Sequence, residues 1–194
     1  MKKFTLTTQT KKLLADTVTP VSVYLRLRDV FAGTLLLESS DYHGQENSLS
    51  LICCDPMATF QVKKDEAVVD WPDKTKSRYL ISCPAEVPGL LESFRKSFVF
   101  EGSIPSSAGM FGYMSYNAVR FFEEVAVSDY RNLIPEMQFS VYRYIIVIDH
   151  FFNEIQLVGL QCEGAADNSS MLHLERLIFH GRYPLYSFSR TNGE

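Results

Sequence analysis

The chain has 194 residues, a formal net charge of -4, 46% hydrophobic and 22% charged residues, ordinary values for one globular domain or one large piece of a bigger fold. Its Lys and Arg residues are scattered, with only pairs such as Lys2-Lys3, Lys11-Lys12 and Lys63-Lys64. Nucleic acid is therefore not an expected partner, because phosphate binding needs clustered positive charge. No apolar run approaches the roughly 18 residues of a membrane span, and the first residues lack a signal peptide's apolar core, so a cytoplasmic protein is expected.

In chain order, Phe4, Leu6 and Thr8 alternate, and residues 1–18 read as an extended lead-in. Thr19-Pro20 is a helix start, a hydroxyl cap followed by a first-turn proline. Val21, Tyr24, Leu25, Arg28 and Phe31 continue at helical spacing, with Gly33 read as the stop. Leu35-Leu36-Leu37 is an apolar strand ending in Glu38-Ser39-Ser40. After a polar connection, Leu51-Ile52-Cys53-Cys54 is a second strand, read as stopped by Asp55-Pro56. Strands this apolar are expected to be buried on both faces.

Residues 58–62 and 67–71 alternate like a hairpin around Lys64-Asp65-Glu66, and residues 78–82 add a strand. Residues 84–100 read as an amphipathic helix with Val87, Leu90, Leu91, Phe94 and Phe98 on one face. A Gly- and Ser-rich loop over 102–109 leads into a strand, Gly109 to Met114, whose glycines let other backbone come close. A helix is expected over 115–123. Residues 139–148 and 155–161 form an antiparallel pair turned at Asp149 to Glu154, and residues 165–179 read as a last helix. Antiparallel strands with helices at irregular intervals indicate an α+β fold, largely antiparallel.

Cys53 and Cys54 are adjacent, so on a strand their thiols point to opposite faces and cannot chelate one ion. They read as small buried apolar groups. No Cys-x-x-Cys or His-x-x-x-His spacing joins Cys83, Cys162, His43, His150, His173 and His180. His173 and His180 fit a plain surface helix. Asn168-Ser169-Ser170 matches a glycosylation sequon, of little weight without an export signal. Gly109-Met110-Phe111-Gly112 lacks the spacing and the terminal Lys of a phosphate loop. Ser39 and Ser40 have His43 near in sequence but no third group to orient it. Asp149-His150 reads as a turn, and Glu123-Glu124 as a solvated helix end. No catalytic set emerges. Glu38-Ser39, where an apolar strand emerges, is the candidate ligand site.

Four motifs, in order, resemble the large subunit (component I) of anthranilate synthase, a chorismate-utilising enzyme. They are the helix centred on Tyr24-Leu25-Arg26-Leu27-Arg28; Leu36-Leu37-Glu38-Ser39 with Ser50-Leu51-Ile52; Gly109-Met110-Phe111-Gly112-Tyr113 followed by Tyr116; and Val147-Ile148-Asp149-His150. The resemblance covers essentially the whole chain. The large subunit of aminodeoxychorismate synthase shares this layout, and the wording Leu37-Glu38-Ser39 favours the anthranilate enzyme.

The resemblance implies antiparallel sheets in two packed layers flanked by helices. It also implies that residues 1–194 are the N-terminal regulatory region, with the catalytic domain that binds chorismate and Mg2+ lying C-terminal to this chain. That enzyme makes anthranilate and pyruvate, with ammonia from a glutamine amidotransferase partner. No catalytic residue or metal ligand of that domain maps here, and no cofactor is expected in this segment. The resemblance further implies an inhibitory L-tryptophan site bordered by Glu38 and Ser39, with Leu37, Leu49 or Leu51 walling the indole. In the whole enzyme Ser39→Phe is expected to relieve inhibition. Leu49 stands where the family often has a lysine, which weakens polar contact from that side. Strands that pair with the missing half imply that the segment alone self-associates. A freestanding amino-acid-binding module is the alternative from another class, and a small enzyme using His150 or Cys83 has no supporting constellation.

Overall fold

A computed structural model describes residues 2–39, 48–125, 134–163 and 170–182. The lead-in is a full strand, β1 (Phe4–Leu14), and α1 (Pro20–Arg28) follows. Thr19 Oγ1 accepts from the Ser22 N–H while the Ser22 side chain accepts from the Thr19 N–H. This reciprocal cap satisfies donors that a helix start leaves bare. Gly33 is not the stop. Val30 and Phe31 both donate to the Leu27 carbonyl, which ends the helix sooner, and Phe31 then packs edge-on against Tyr144. Gly33 instead takes φ +69° in the turn beside Pro56, a conformation that favours glycine.

Next come β2 (Leu35–Glu38) and β3 (Leu49–Lys63). Asp55-Pro56 does not end β3. The strand runs through them with a bulge between Pro56 and Ala58, where a proline lacking an N–H costs the ladder nothing. Asp55 adopts φ +59° and its carboxylate accepts from Arg143 Nε at 2.7 Å. The expectation of two doubly buried strands fails for β2, where Leu37 is 36% exposed and Glu38 is exposed too, because β2 pairs with β3 alone. It holds for the second strand, where Cys53 and Cys54, on opposite faces, are both buried. β3 itself alternates buried and half-buried positions over much of its length.

β4 (Glu66–Asp70) and β5 (Lys76–Leu80) extend the sheet. A 3-10 turn at Pro84–Glu86 leads into α2 (Val87–Arg95), and β6 (Phe98–Phe100) takes the residues expected to continue that helix. Phe98 leaves it because Phe98–Phe100 pair in parallel with Phe4, Thr5 and Leu6. β7 (Met110–Met114) is as expected, and Gly112 is the close approach. A Cβ there would overlap the Gln138 carbonyl and lie 2.8 Å from Phe139 Cα. The helix expected over 115–123 is a 3-10 helix, Tyr116–Phe121. β8 (Met137–Asp149), β9 (Glu154–Cys162) and α3 (Met171–His180) complete the described elements. The part of the last helix expected over 165–169 lies outside the described residues, as does His43.

The fold is α+β, with one mostly antiparallel nine-stranded sheet ordered β5-β4-β3-β8-β9-β1-β6, β2 on β3 and β7 on β8. Its two ends meet. Phe4 on β1 stacks on Trp71 beyond β4 at 5.6 Å between ring centres, and Trp71 also meets Phe94 and Phe98. The expected two layers are thus two halves of one folded sheet. Between them lies a core including Leu6, Cys53, Phe60, Val62, Trp71, Phe94 and Ile145. A second core, with Val23, Leu27, Ile52, Cys54, Ile146, Leu174 and Ile178, lies under α1 and α3 on the outer face.

Candidate functional site

Side chains alternate between the faces of a strand, and that alternation divides the sequence-derived site. Leu37 stands opposite Leu51, and Glu38 opposite Ser50. Leu49 and Leu51 pack on the inner core, while Leu36 and Ile52 pack on the outer one. Glu38 shares Leu36's parity and so lies on the outer face; Leu37, Leu49 and Leu51 lie together on the inner face. Ser39 follows the strand, its N–H closing the ladder on the Leu49 carbonyl at 2.9 Å. The backbone of Glu38 and Ser39 therefore borders the leucine wall, and the Glu38 carboxylate does not join it.

Leu49 and Leu51, but not Leu37, line an open groove of about 450 Å³, shared with Lys12, Ser106, Ser107, Val147, Asp149, Glu154 and Gln156. Register explains the grouping, since Leu49 pairs with Asp149, Leu51 with Val147, Asp149 with Glu154 and Lys12 with Gln156. Lys12 Nζ binds Glu154 at 3.0 Å. Asp149 Oδ1 accepts from the Phe151 and Phe152 N–H groups, so Asp149-His150 does sit in a turn. Ser107 Oγ is buried without a hydrogen-bond partner in the protein. A leucine and valine floor with a carboxylate and ammonium rim is chemically matched to a zwitterion carrying an apolar side chain. Sequence reasoning found Leu49 and Leu51 but not Lys12, Ser107 or Glu154's position beside them, which only strand register reveals.

 The rim itself is set by β1 and β9, two strands distant in sequence from the leucines.

On the outer face, Ser50 Oγ lies 2.8 Å from His150 Nε2 and 3.4 Å from Glu38 Oε1. A hydroxyl at hydrogen-bond distance from an imidazole suggests a nucleophile and its base. Here the hydroxyl is 1% exposed and the acid reaches the serine instead of orienting the imidazole, so this is no hydrolytic triad. His150 was legible only as a turn residue; its parity with Ile148 is the signal that aims it at Ser50. His173 and His180 lie on α3. Among the described residues no group of three His, Cys, Asp or Glu gathers as metal ligands, and no helix is long and apolar enough to cross a membrane.

Cys53, Cys54 and Cys162 are buried and Cys83 is exposed, all four as free thiols. Burial pushes the Cys53 thiol up to about 12 and holds Cys54 well above its ordinary value, the Asp55 carboxylate adding to the effect. A second hollow, about 630 Å³, lies by Cys83 and Arg120. Its Arg120 is engaged by Glu136 at 3.0 and 2.9 Å and by the Lys64 carbonyl, which leaves it a structural clasp.

Compared with known proteins, the chain is 27% identical over 174 residues to anthranilate synthase component 1 of Lactococcus lactis, covering 86% of this chain and 36% of that one. It is 30% identical over 157 residues to anthranilate synthase component 1 of Mycobacterium tuberculosis, covering 77% and 30%. The chain is similar to the N-terminal region of anthranilate synthase component 1. It spans about a third of the length of these curated relatives. A crystal structure of anthranilate synthase component I from Streptococcus pneumoniae aligns with 87% of this chain and 35% of that one, at 20% identity and a TM-score of 0.42. No protein-family model matches the chain.

Proposed function

We propose that residues 1–194 are the N-terminal regulatory portion of an anthranilate-synthase-type enzyme of tryptophan biosynthesis. The observation that carries this reading is the alignment of component 1 relatives over 77–86% of the chain. In this reading a further catalytic half, with its Mg2+, converts chorismate and ammonia from a glutamine amidotransferase partner into anthranilate and pyruvate, in the cytoplasm. The segment by itself is inactive. The β2 end and the leucine-walled groove contribute to a feedback site for L-tryptophan: Leu37, Leu49 and Leu51 face the indole, and the Glu38-Ser39 backbone with the Ser39 hydroxyl meets the amino-acid head.

Calorimetric titration of the 194-residue chain with L-tryptophan tests the ligand. Saturable heat is expected, weakened about tenfold or more by Ser39→Ala, the loss of one hydrogen bond to a charged group, worth about 1.5–3 kcal/mol. Ser39→Phe, which fills the space, should abolish it. No saturable heat with the parent chain would sink the site assignment. The proposed segment also self-associates, because β2 has no partner beyond β3 among the described residues and Leu80, Phe122 and Ile134 are exposed. A monomer at every concentration in light scattering would refute that.

A further inference from the structure

Three strands bring one side chain each to the outer-face end of the sheet. Glu38 closes β2, Ser50 stands opposite it on β3, and His150 follows β8, its N–H donating to the Ser48 carbonyl at 3.1 Å. β2 is only four residues long, and β3 separates it from β8. Ser50 Oγ spans that gap, at 2.8 Å from His150 Nε2 and 3.4 Å from Glu38 Oε1. One hydroxyl offers one proton and two lone pairs. Donation from Nε2–H to Oγ, and from Oγ–H to the carboxylate, satisfies the buried hydroxyl in both directions.

We propose that Ser50 and His150 are positioning residues, which hold the end of β2 so that Ser39 stands at a fixed place beside the groove. A four-residue strand on one partner frays readily at its end. The Ser39 N–H to Leu49 carbonyl bond, immediately after Glu38, is the bond that such fraying breaks first. The carboxylate of Glu38 is then occupied in bracing the strand from the outer face. The inference deepens the amino-acid-site reading and rests on it only for what Ser39 touches; the bracing itself is tested without ligand.

Amide hydrogen exchange in the 194-residue chain reads the brace directly. Ser50→Ala and His150→Phe should each speed exchange at the Ser39 amide by about fivefold, the equivalent of one hydrogen bond, while β4 and β5 amides keep their rates. His150→Gln, whose amide nitrogen can stand near the place of Nε2, should restore slow exchange. An unchanged Ser39 amide in Ser50→Ala overturns the proposal, as does equal loosening of every strand or a failure of Gln to rescue. In a parallel L-tryptophan titration the same variants should weaken binding several-fold, with rescue by His150→Gln. Loss of all tryptophan binding by the parent chain, with exchange behaving as described, would strike the ligand reading and leave the brace standing.

Discussion

Arg120 and Glu136 show how much one buried ion can demand. Glu136 is 4% exposed, and two guanidinium nitrogens meet its carboxylate. Removing the cation strands a desolvated charge, which costs far more than the pair contributes. Arg120→Met should lower the urea-derived stability by about 3–5 kcal/mol, and Arg120→Met with Glu136→Leu should recover most of it; a single variant as stable as the double one would disprove the clasp. The thiols test burial at the same scale. A thiolate is the reacting species, and Cys53 and Cys54 are held as thiols by burial. A disulfide reagent should therefore titrate Cys83 rapidly in the native chain and all four cysteines only after unfolding. Fast reaction of a second thiol would show that the inner core opens readily.

At the scale of elements, Gly112 fixes how β7 meets β8. With a Cβ in place of hydrogen, the Gln138 carbonyl must move, and backbone cannot yield as a flexible side chain can. Gly112→Ala should destabilise the chain by about 3 kcal/mol or more, at the upper end for single substitutions, with faster amide exchange concentrated in Met110–Met114. Normal stability would mean that β7 can shift at little cost.

Elements of this kind were legible to different degrees. Glycines in a strand announced the close approach, and Thr19-Pro20 announced α1, because both signals are local. The continuity of β3 through Asp55-Pro56 was not legible, since a proline reads as a stop until its bulge and the partner Arg143 are known. Phe98 kept helical spacing yet joined β1, a pairing set by residues more than ninety positions away. The candidate site shows the same limit. Leu37-Glu38-Ser39 is readable as the polar end of an apolar strand, but which of its side chains share a face with Leu49 depends on register.

For the molecule as a whole, Trp71 reports on closure of the folded sheet. It is the only tryptophan, is 6% exposed, donates Nε1–H to Ser77 Oγ at 2.8 Å, and touches both sheet ends. β3 and β8 run through both halves, so neither half can lose its strands alone. Urea unfolding followed by Trp71 fluorescence and by far-ultraviolet circular dichroism should give one coincident transition. A fluorescence change well before the loss of strand signal would mean that the ends part while the sheet survives.

The bulge in β3 reaches further than its own turn. Before it, Leu51 and Cys53 face the inner core; after it, Ala58, Phe60 and Val62 do, so odd positions yield to even ones across one added residue. Loss of the Met57 codon in frame would send every later side chain of β3 to the wrong side of the sheet, exchanging Phe60 for Gln61 and Val62 for Lys63. Genes that encode this sheet can therefore vary the letters around Met57 far more freely than their number.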